Sequence, residues 1–439
     1  MFFSKLPNEL IFIINKLEKN KFEAFIVGGC VRDCLLHIKP KDWDICTNAK
    51  PIEIKNIFSN FKMDMSGIKY GTVTININNI VFEITTYRKE LKYCNHRKPT
   101  KILFVNNLRE DLSRRDFTIN AIAYNPNDGI VDFFNGINDL NSQLIRCINN
   151  PSDKIKQDAL RIMRGIRFQS VYGFNIEEKT KKAIYQNSHL LKFLSSERIC
   201  SEFLKILNGR YAQKSLSNFE LIFFRIIPEL KYLKIPIKQN VKFSSLWELA
   251  LNTLANCDHL ISLRLAVLFK HIGINTNHSK LSVYTNYENK SIKIFNKISL
   301  NLKIPKKYIE QTSKIIKYQN IFTPLNINET CKVLNKIDIK TYSLILKLKK
   351  AYLKTIGTPH IKIIAAENLL DEVVQKDICY SHKKMKISGT DLIKLGYNQG
   401  PNIGKTLNII LNKIIDGKLQ NIKTDLIEFA KQNKSKYSQ

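Results

Sequence analysis

Two aspartates separated by one residue, Asp42-Trp43-Asp44, are the side chains of this sequence best suited to chemistry. On an extended strand, alternation puts both carboxylates on one face and Trp43 on the other. Like charges held side by side are costly without a cation, and hard divalent ions such as Mg²⁺ take oxygen ligands. Two such ions about 3.5–4 Å apart can activate an attacking hydroxyl and stabilise a leaving phosphate oxygen. Upstream, Gly28-Gly29 follows a short apolar run and precedes a helical pattern at 31–37. In that arrangement bare backbone can approach phosphate, and Arg32 falls in the first helical turn. Taken alone, each has a plainer reading: a D-x-D serves as a surface or capping pair, and a Gly-Gly pair as a turn.

The pattern also suggests the elements that would carry these groups. Short β-rich runs at 24–27, 43–47, 72–77 and 81–86 are separated by turn signals and helical spacing, so up to about residue 145 the chain reads as mixed α/β. The runs 72–77 and 81–86, joined through Asn78 and Asn79, make an expected hairpin. Beyond Pro151 strand signals fade, and 155–170, 198–207, 260–270, 339–352 and 403–415 repeat apolar residues at helical spacing. A chain of 439 residues exceeds one compact fold. The expected class is α+β, with a small mixed sheet in 1–147 and all-helical parts at 148–212, 213–360 and 361–439. A lysine-rich stretch at 303–317 reads as a solvated face in preference to an RNA-facing helix.

The 70 Lys and Arg outnumber the 38 Asp and Glu, a net charge of +32 at pH 7. Recurrent Lys, Ile and Asn are compatible with an AT-rich genome. Still, the surplus exceeds what solubility needs and favours a nucleic-acid partner. A hydrophobic share of 44% excludes global disorder. No apolar run approaches the roughly 18 to 20 residues that cross a bilayer, and residues 1–10 lack a basic-then-apolar leader, so a cytoplasmic protein with no membrane partner is expected. Nine scattered cysteines without a C-x-x-C pair, and histidines without H-E-x-x-H spacing, point to neither a disulfide framework nor zinc. Any metal chemistry falls to carboxylates.

GGCVRD with DWD, KYGTVTI and FEITTYR, then RRDFTINAIAYN (114–125), QDALRIMRGIRF (157–168) and SSERICSEFLKIL (195–207), resemble in order the motifs of class II tRNA nucleotidyltransferases and bacterial poly(A) polymerases. The likeness is dense over about the first 210 residues, with a thinner echo in ISGTDLIKLGYNQGPNIGKTLNIILNKIIDG near the C-terminus. It implies a nucleotidyltransferase head followed by helical neck, body and tail. Through it, Asp42 and Asp44 would bind the catalytic Mg²⁺, Gly29 and Arg32 would hold the incoming triphosphate, and Arg115 would make a further nucleotide contact. Glu83 stands where relatives have a third carboxylate, as metal ligand or base. A strand glutamate paired with Arg88 or Lys89 explains it almost as well.

Asp158, Arg161, Arg164 and Arg167 recur at three-residue intervals, so adjacent members lie close on an expected helix over 157–168. A carboxylate accepts from the amino group of C or A and a guanidinium donates to ring acceptors, so Asp158 and Arg161 could imitate the edge of a template base. The resemblance implies that this pair selects CTP and then ATP, with Arg164 and Arg167 facing phosphate or orienting the pair. Without it, the spacing fits a basic amphipathic helix with a local ion pair. Gln157 departs from the family's usual Glu. An amide keeps a hydrogen-bond acceptor but no charge, so less strict base selection is expected.

Residues 67–74 (GIKYGTVT) lack the basic segment of the poly(A) polymerases, and 88–112 resembles the flexible loop of enzymes that add A as well as C. CTP and ATP are therefore the expected substrates and tRNA the expected partner. Lys270-His271 stands where some relatives carry the His-Asp pair of a metal-dependent phosphohydrolase, and no such activity is expected. Gly400-Pro401 before 403–415, with Lys405, reads equally as a phosphate contact or an ordinary helix entry. The implied function is template-independent addition of CMP and AMP to the tRNA 3′ end, with pyrophosphate released. A-adding tRNA nucleotidyltransferase, poly(A) polymerase and a catalytically inactive RNA-binding protein are the alternatives.

Overall fold

The computed structural model describes residues 6–94, 98–237, 242–274 and 287–434. The chain forms two compact units, Met1–Pro228 and Glu229–Gln439. The first begins with α1 (Asn8–Lys19), β1 (Ala24–Val27), α2 (Gly29–Leu35), β2 (Trp43–Thr47), α3 (Pro51–Ile57), β3 (Lys62–Asp64), β4 (Thr72–Ile77) and β5 (Ile80–Thr86). It continues with β6 (Arg88–Cys94), β7 (Lys98–Phe104), α4 (Leu108–Ser113), β8 (Ala123–Asn125), β9 (Gly129–Val131) and α5 (Gly136–Asn141). Then come α6 (Pro151–Gln157), α7 (Leu160–Tyr172), α8 (Glu178–Gln186) and α9 (Ser196–Leu207).

Seven strands make one mixed sheet in the order β3-β4-β5-β2-β1-β8-β9. The central β2 runs antiparallel to β1 and parallel to β5, in a register that sets Asp44 beside Glu83. All four residues of β1 are buried, as a central strand covered on both faces requires. The expected hairpin is β4 and β5: Asn78 and Asn79 both take positive φ (52° and 64°), the turn whose twist matches the flanking strands and which asparagine tolerates.

Two sequence expectations need correction. The segment 88–112, expected as a flexible loop, is largely the antiparallel ribbon β6–β7 with irregular register near Lys92, followed by α4; residues 95–97 lie outside the described residues. Its strands mix charged residues with apolar ones in no alternating order, so no apolar alternation betrayed them. The helix expected over 157–168 is broken. Gln157 ends α6, Asp158 is extended (φ −134°, ψ 105°), and its carboxylate accepts from the Leu160 N–H at 3.0 Å as α7 begins. Short acidic side chains compete for backbone donors in this way, and apolar spacing that continues across the break conceals it.

Phe117, bridged to Cys147, packs on α7. Its ring is buried, meets Phe168 edge-on at 5.7 Å between centroids, and lies so close to Gly165 that a Cβ there would come within 3.1 Å.

The second unit is helical among its described residues, apart from an isolated bridge between Pro236 and Ser245. Helix Ile261–Phe269 buries every residue from Leu263 onward, as its nearly continuous apolar sequence demands. The lysine-rich stretch is interrupted: Lys303 is left-handed, and a new helix, Lys306–Tyr318, starts after Pro305. That helix turns Thr312, Ile315 and Ile316 inward and exposes Lys306 and Lys307, in keeping with a solvated face. Among the described residues no helix is long and apolar enough to cross a membrane, and the described cysteines are free and buried.

Phe117→Ala is expected to cost about 3–5 kcal/mol, read by denaturant unfolding, because it opens a cavity beside α7. A loss below about 1 kcal/mol would contradict this packing role.

Candidate active site

A cavity of about 420 Å³ opens in the first unit, lined by the Gly28-Gly29 turn, by Asp42 and Asp44, and by side chains from α4 to α9. The sequence-derived residues Gly29, Arg32, Asp42, Asp44, Arg115, Asp158, Arg161, Arg164 and Arg167 all reach it. Glu83 does not. It is exposed on β5, adjacent to Asp44 across the strand pair, and Arg88 pairs with Glu90 at 3.5 Å instead.

Asp42 stands immediately before β2 and not within it, whereas Asp44 is on the strand. Burial, opposed by Arg115 but reinforced by Glu83 and Asp42, pushes the Asp44 carboxyl up to about 6. Among the described residues neither aspartate forms an ion pair with Lys or Arg, and no group of three metal-ligating side chains occurs. Two carboxylates crowded together and short of cationic partners suit a divalent cation whose other ligands come from a triphosphate or water.

The two acids that sequence reasoning overlooked behave oppositely. Asp111 is fully buried on α4, yet Arg114 at 2.9 Å, Arg115 at 3.4 Å and the Arg88 N–H at 3.2 Å surround it. Burial works to raise its pKa, but the two guanidinium groups prevail and hold it below the ordinary carboxylate value. Asp116 is held far below its ordinary value, since Arg164 at 2.6 Å and the Asn120 amide at 3.0 Å outweigh its burial.

This anchoring aims Arg115 at the glycine turn. A Cβ on Gly28, whose φ is +83°, would come within 2.8 Å of the Arg115 Nη1. The buried Arg115 Nε has no hydrogen-bond partner among the described residues. Arg32 donates to Asp33 through Nε and Nη2 at 3.0 and 2.7 Å and to Asn120 through Nη1, and its plane lies against Phe168 and Tyr172 of α7.

On the opposite wall, Asp158 and Arg161 both line the cavity but do not pair with each other. Asp158 faces Arg198 of α9 at 3.5 Å, and burial still raises its pKa. Arg161 donates to the carbonyls of Lys154 and Arg114, each at 2.8 Å, and to Gln157 Oε1 at 3.1 Å. Gln157 thus supplies the acceptor expected of an amide. Arg167 pairs with Glu202 of α9 at 3.2 Å and stacks on Phe168. Asp116 and Arg198 were present in the quoted RRD and SSERIC motifs; Asp111 had no signal beyond lying four residues before Arg115.

Gly28→Ala should leave the fold intact yet weaken nucleotide binding about tenfold or more, read by equilibrium titration. The methyl group displaces Arg115 and needs a backbone conformation that alanine resists. Unchanged affinity would detach Arg115 from nucleotide contact.

Residues 24–146 match the family described as "Poly A polymerase head domain", 173–233 the "Probable RNA and SrmB- binding site of polymerase A", and 274–430 domain 2 of the tRNA nucleotidyltransferases. A CCA-adding enzyme of Lactobacillus helveticus is 34% identical over 430 residues, covering 95% of this chain and 96% of the relative. One from Staphylococcus haemolyticus is 32% identical over 437 residues, covering 98% and 99%. Among solved structures, the Bacillus stearothermophilus CCA-adding enzyme in complex with CTP superposes with a TM-score of 0.74 at 25% identity, covering 98% of this chain and 97% of that one. A divalent metal accompanies nucleotidyl transfer in such enzymes, in agreement with the carboxylate pair. The chain belongs to the CCA-adding enzyme family of nucleotidyltransferases.

Proposed function

We propose that this nucleotidyltransferase adds CMP and AMP from CTP and ATP to the 3′ end of tRNA, with Asp42 and Asp44 holding Mg²⁺ and Asp158 and Arg161 reading the base. The observation that carries this reading is the division of charge in one cavity: arginines on the walls, and two aspartates at the central strand β2 without a paired cation among the described residues. When bound, Mg²⁺ supplies electrophilic assistance to the attacking hydroxyl and to the leaving phosphate oxygen.

The chain's own residues do the rest. Arg115, oriented by Asp111, and Arg32, braced by Asp33, Asn120 and Phe168, hold the triphosphate against the bare backbone at Gly28-Gly29. Asp158 accepts from the exocyclic amino group common to C and A, and the N–H groups that Arg161 has left over donate to ring acceptors. Arg164 and Arg167, engaged by Asp116 and Glu202, orient this wall and leave phosphate contact to Arg115 and Arg32. The RNA 3′-hydroxyl oxygen attacks the α-phosphorus in line; its new bond forms as the bond to the pyrophosphate oxygen breaks. Glu83 acts on Asp44 from the neighbouring strand, by repulsion that raises the Asp44 pKa and adds negative potential for a cation. Relatives described as bound to CTP and tRNA support these substrates, and action on tRNA fits a cytoplasmic location.

Incubation with labelled CTP, ATP, Mg²⁺ and a tRNA lacking its terminus tests the activity: C-C-A addition is expected, terminal A alone would narrow it to A addition, and long A tails or no incorporation would refute it. Asp44→Asn should lower the rate about a thousandfold, the equivalent of several kcal/mol of transition-state stabilisation, with tRNA affinity preserved. Gln157→Glu should tighten the hold on Arg161 and reduce GTP and UTP misincorporation several-fold, since a charged acceptor is about twice as strong as a neutral one. Unchanged misincorporation would free Gln157 of any role in selection.

A further inference from the structure

The second unit encloses a cavity of about 390 Å³ that the nucleotidyl transfer does not use, lined by Lys270, His271, Tyr287, Gln319, Lys349 and Tyr352 among others. No Asp or Glu lines it. Lys270 is only 7% exposed, and the single partner found for its ammonium group among the described residues is the ring of Tyr352, 4.6 Å away. Gln319 is 6% exposed, and its Nε2 donor is buried without a hydrogen-bond acceptor among the described residues. Lys349 reaches in from the helix Ile339–Ile356, tethered to the Ile321 carbonyl and to Thr323 Oγ1 at 3.3 Å. Glu288, next to Tyr287 in sequence, accepts from the Asn320 amide.

The chemistry of this cluster is one-sided. It offers N–H donors and two lysines with no acid among the lining groups. A buried cation without an anion, beside a buried amide donor without an acceptor, leaves desolvation uncompensated at both groups. A single ligand with several acceptor oxygens and negative charge would satisfy both. Burial lowers the Lys270 pKa to about 8, so the ammonium form still predominates at neutral pH, whereas burial and Lys270 hold His271 well below its usual value and keep it uncharged. The space exceeds one tetrahedral oxyanion and falls within the range of small-ligand pockets. A phosphodiester fixed in a duplex backbone cannot follow so recessed a cation inward, but a free phosphoryl group can.

We propose that this cavity binds a small, free phosphoryl anion of the orthophosphate or phosphomonoester class, held by Lys270, Lys349 and Gln319. No bond is broken there. The Lys270-His271 sequence, which stands in place of a metal-binding pair, thereby serves recognition of phosphate.

The test uses the full chain. Orthophosphate is titrated into protein carrying ¹³C-labelled lysine, and crystals are soaked in tungstate as a heavy tetrahedral oxyanion. The Lys270 resonance should shift saturably while the exposed Lys362 stays put, and tungstate density should lie beside Lys270 Nζ and Gln319 Nε2. Gln319→Leu, a replacement of similar size that keeps the lysines, should raise the half-saturating phosphate concentration about tenfold, as loss of a hydrogen bond to a charged group predicts. Absent density, an indifferent Lys270 signal, or equal affinity in the variant would overturn the proposal. So would a tRNA acceptor duplex that displaces phosphate and shifts Lys270 at lower concentration, since the cavity would then belong to RNA.

Discussion

Carboxylates set among arginines are either neutralised in place or left open to a cation, and one cavity contains both cases. Asp111 and Asp116 are neutralised: each lies within 2.9 Å of a guanidinium and titrates below an ordinary carboxylate. Asp42 and Asp44 have no such partner among the described residues, and Asp44 titrates upward. The first pair builds the walls, because removing either acid would strand buried guanidinium groups. The second pair has no cationic side chain against it among the described residues, which is the opening the proposed metal would fill.

The fold enforces this separation. The sheet centre supplies Asp44 from β2, where it pairs with Glu83 of β5 and directly precedes Ile45, which pairs with Ile26 of β1. Arg161, Arg164 and Arg167 come from α7, which packs on the buried Phe117 ring so closely that a side chain at Gly165 would crowd it. Errors in that packing would move Arg161 and Arg164 relative to Asp44, and positional errors near 1 Å are costly to a reaction that depends on alignment.

Much of this was legible in the sequence. The D-x-D pair, the Gly-Gly turn and the hairpin through Asn78 and Asn79 are encoded locally, by alternation and by backbone preference, and the structure places them within a residue of expectation. The wall residues were legible only as types. Spacing alone suggested an uninterrupted helix through Asp158, because helical periodicity continues past a one-residue break. It also suggested that Asp158 and Arg161 would pair, whereas Asp158 finds Arg198 from α9 and Arg161 finds backbone carbonyls. Arg198 lies 40 residues from Asp158 and the Arg114 carbonyl 47 from Arg161, and no local pattern encodes such partners. The ribbon of 88–104 was hidden for a different reason: a strand pair that scatters charge among apolar residues carries no alternation to read.

Anomalous diffraction at the manganese edge, from crystals of the full chain grown with CTP and Mn²⁺, addresses the charge division most directly. Density in coordination distance of both Asp42 and Asp44, with the triphosphate against Arg115, is the predicted result. Manganese seated on Asp111 or Asp116, or bound to the triphosphate with both strand aspartates untouched, would contradict it.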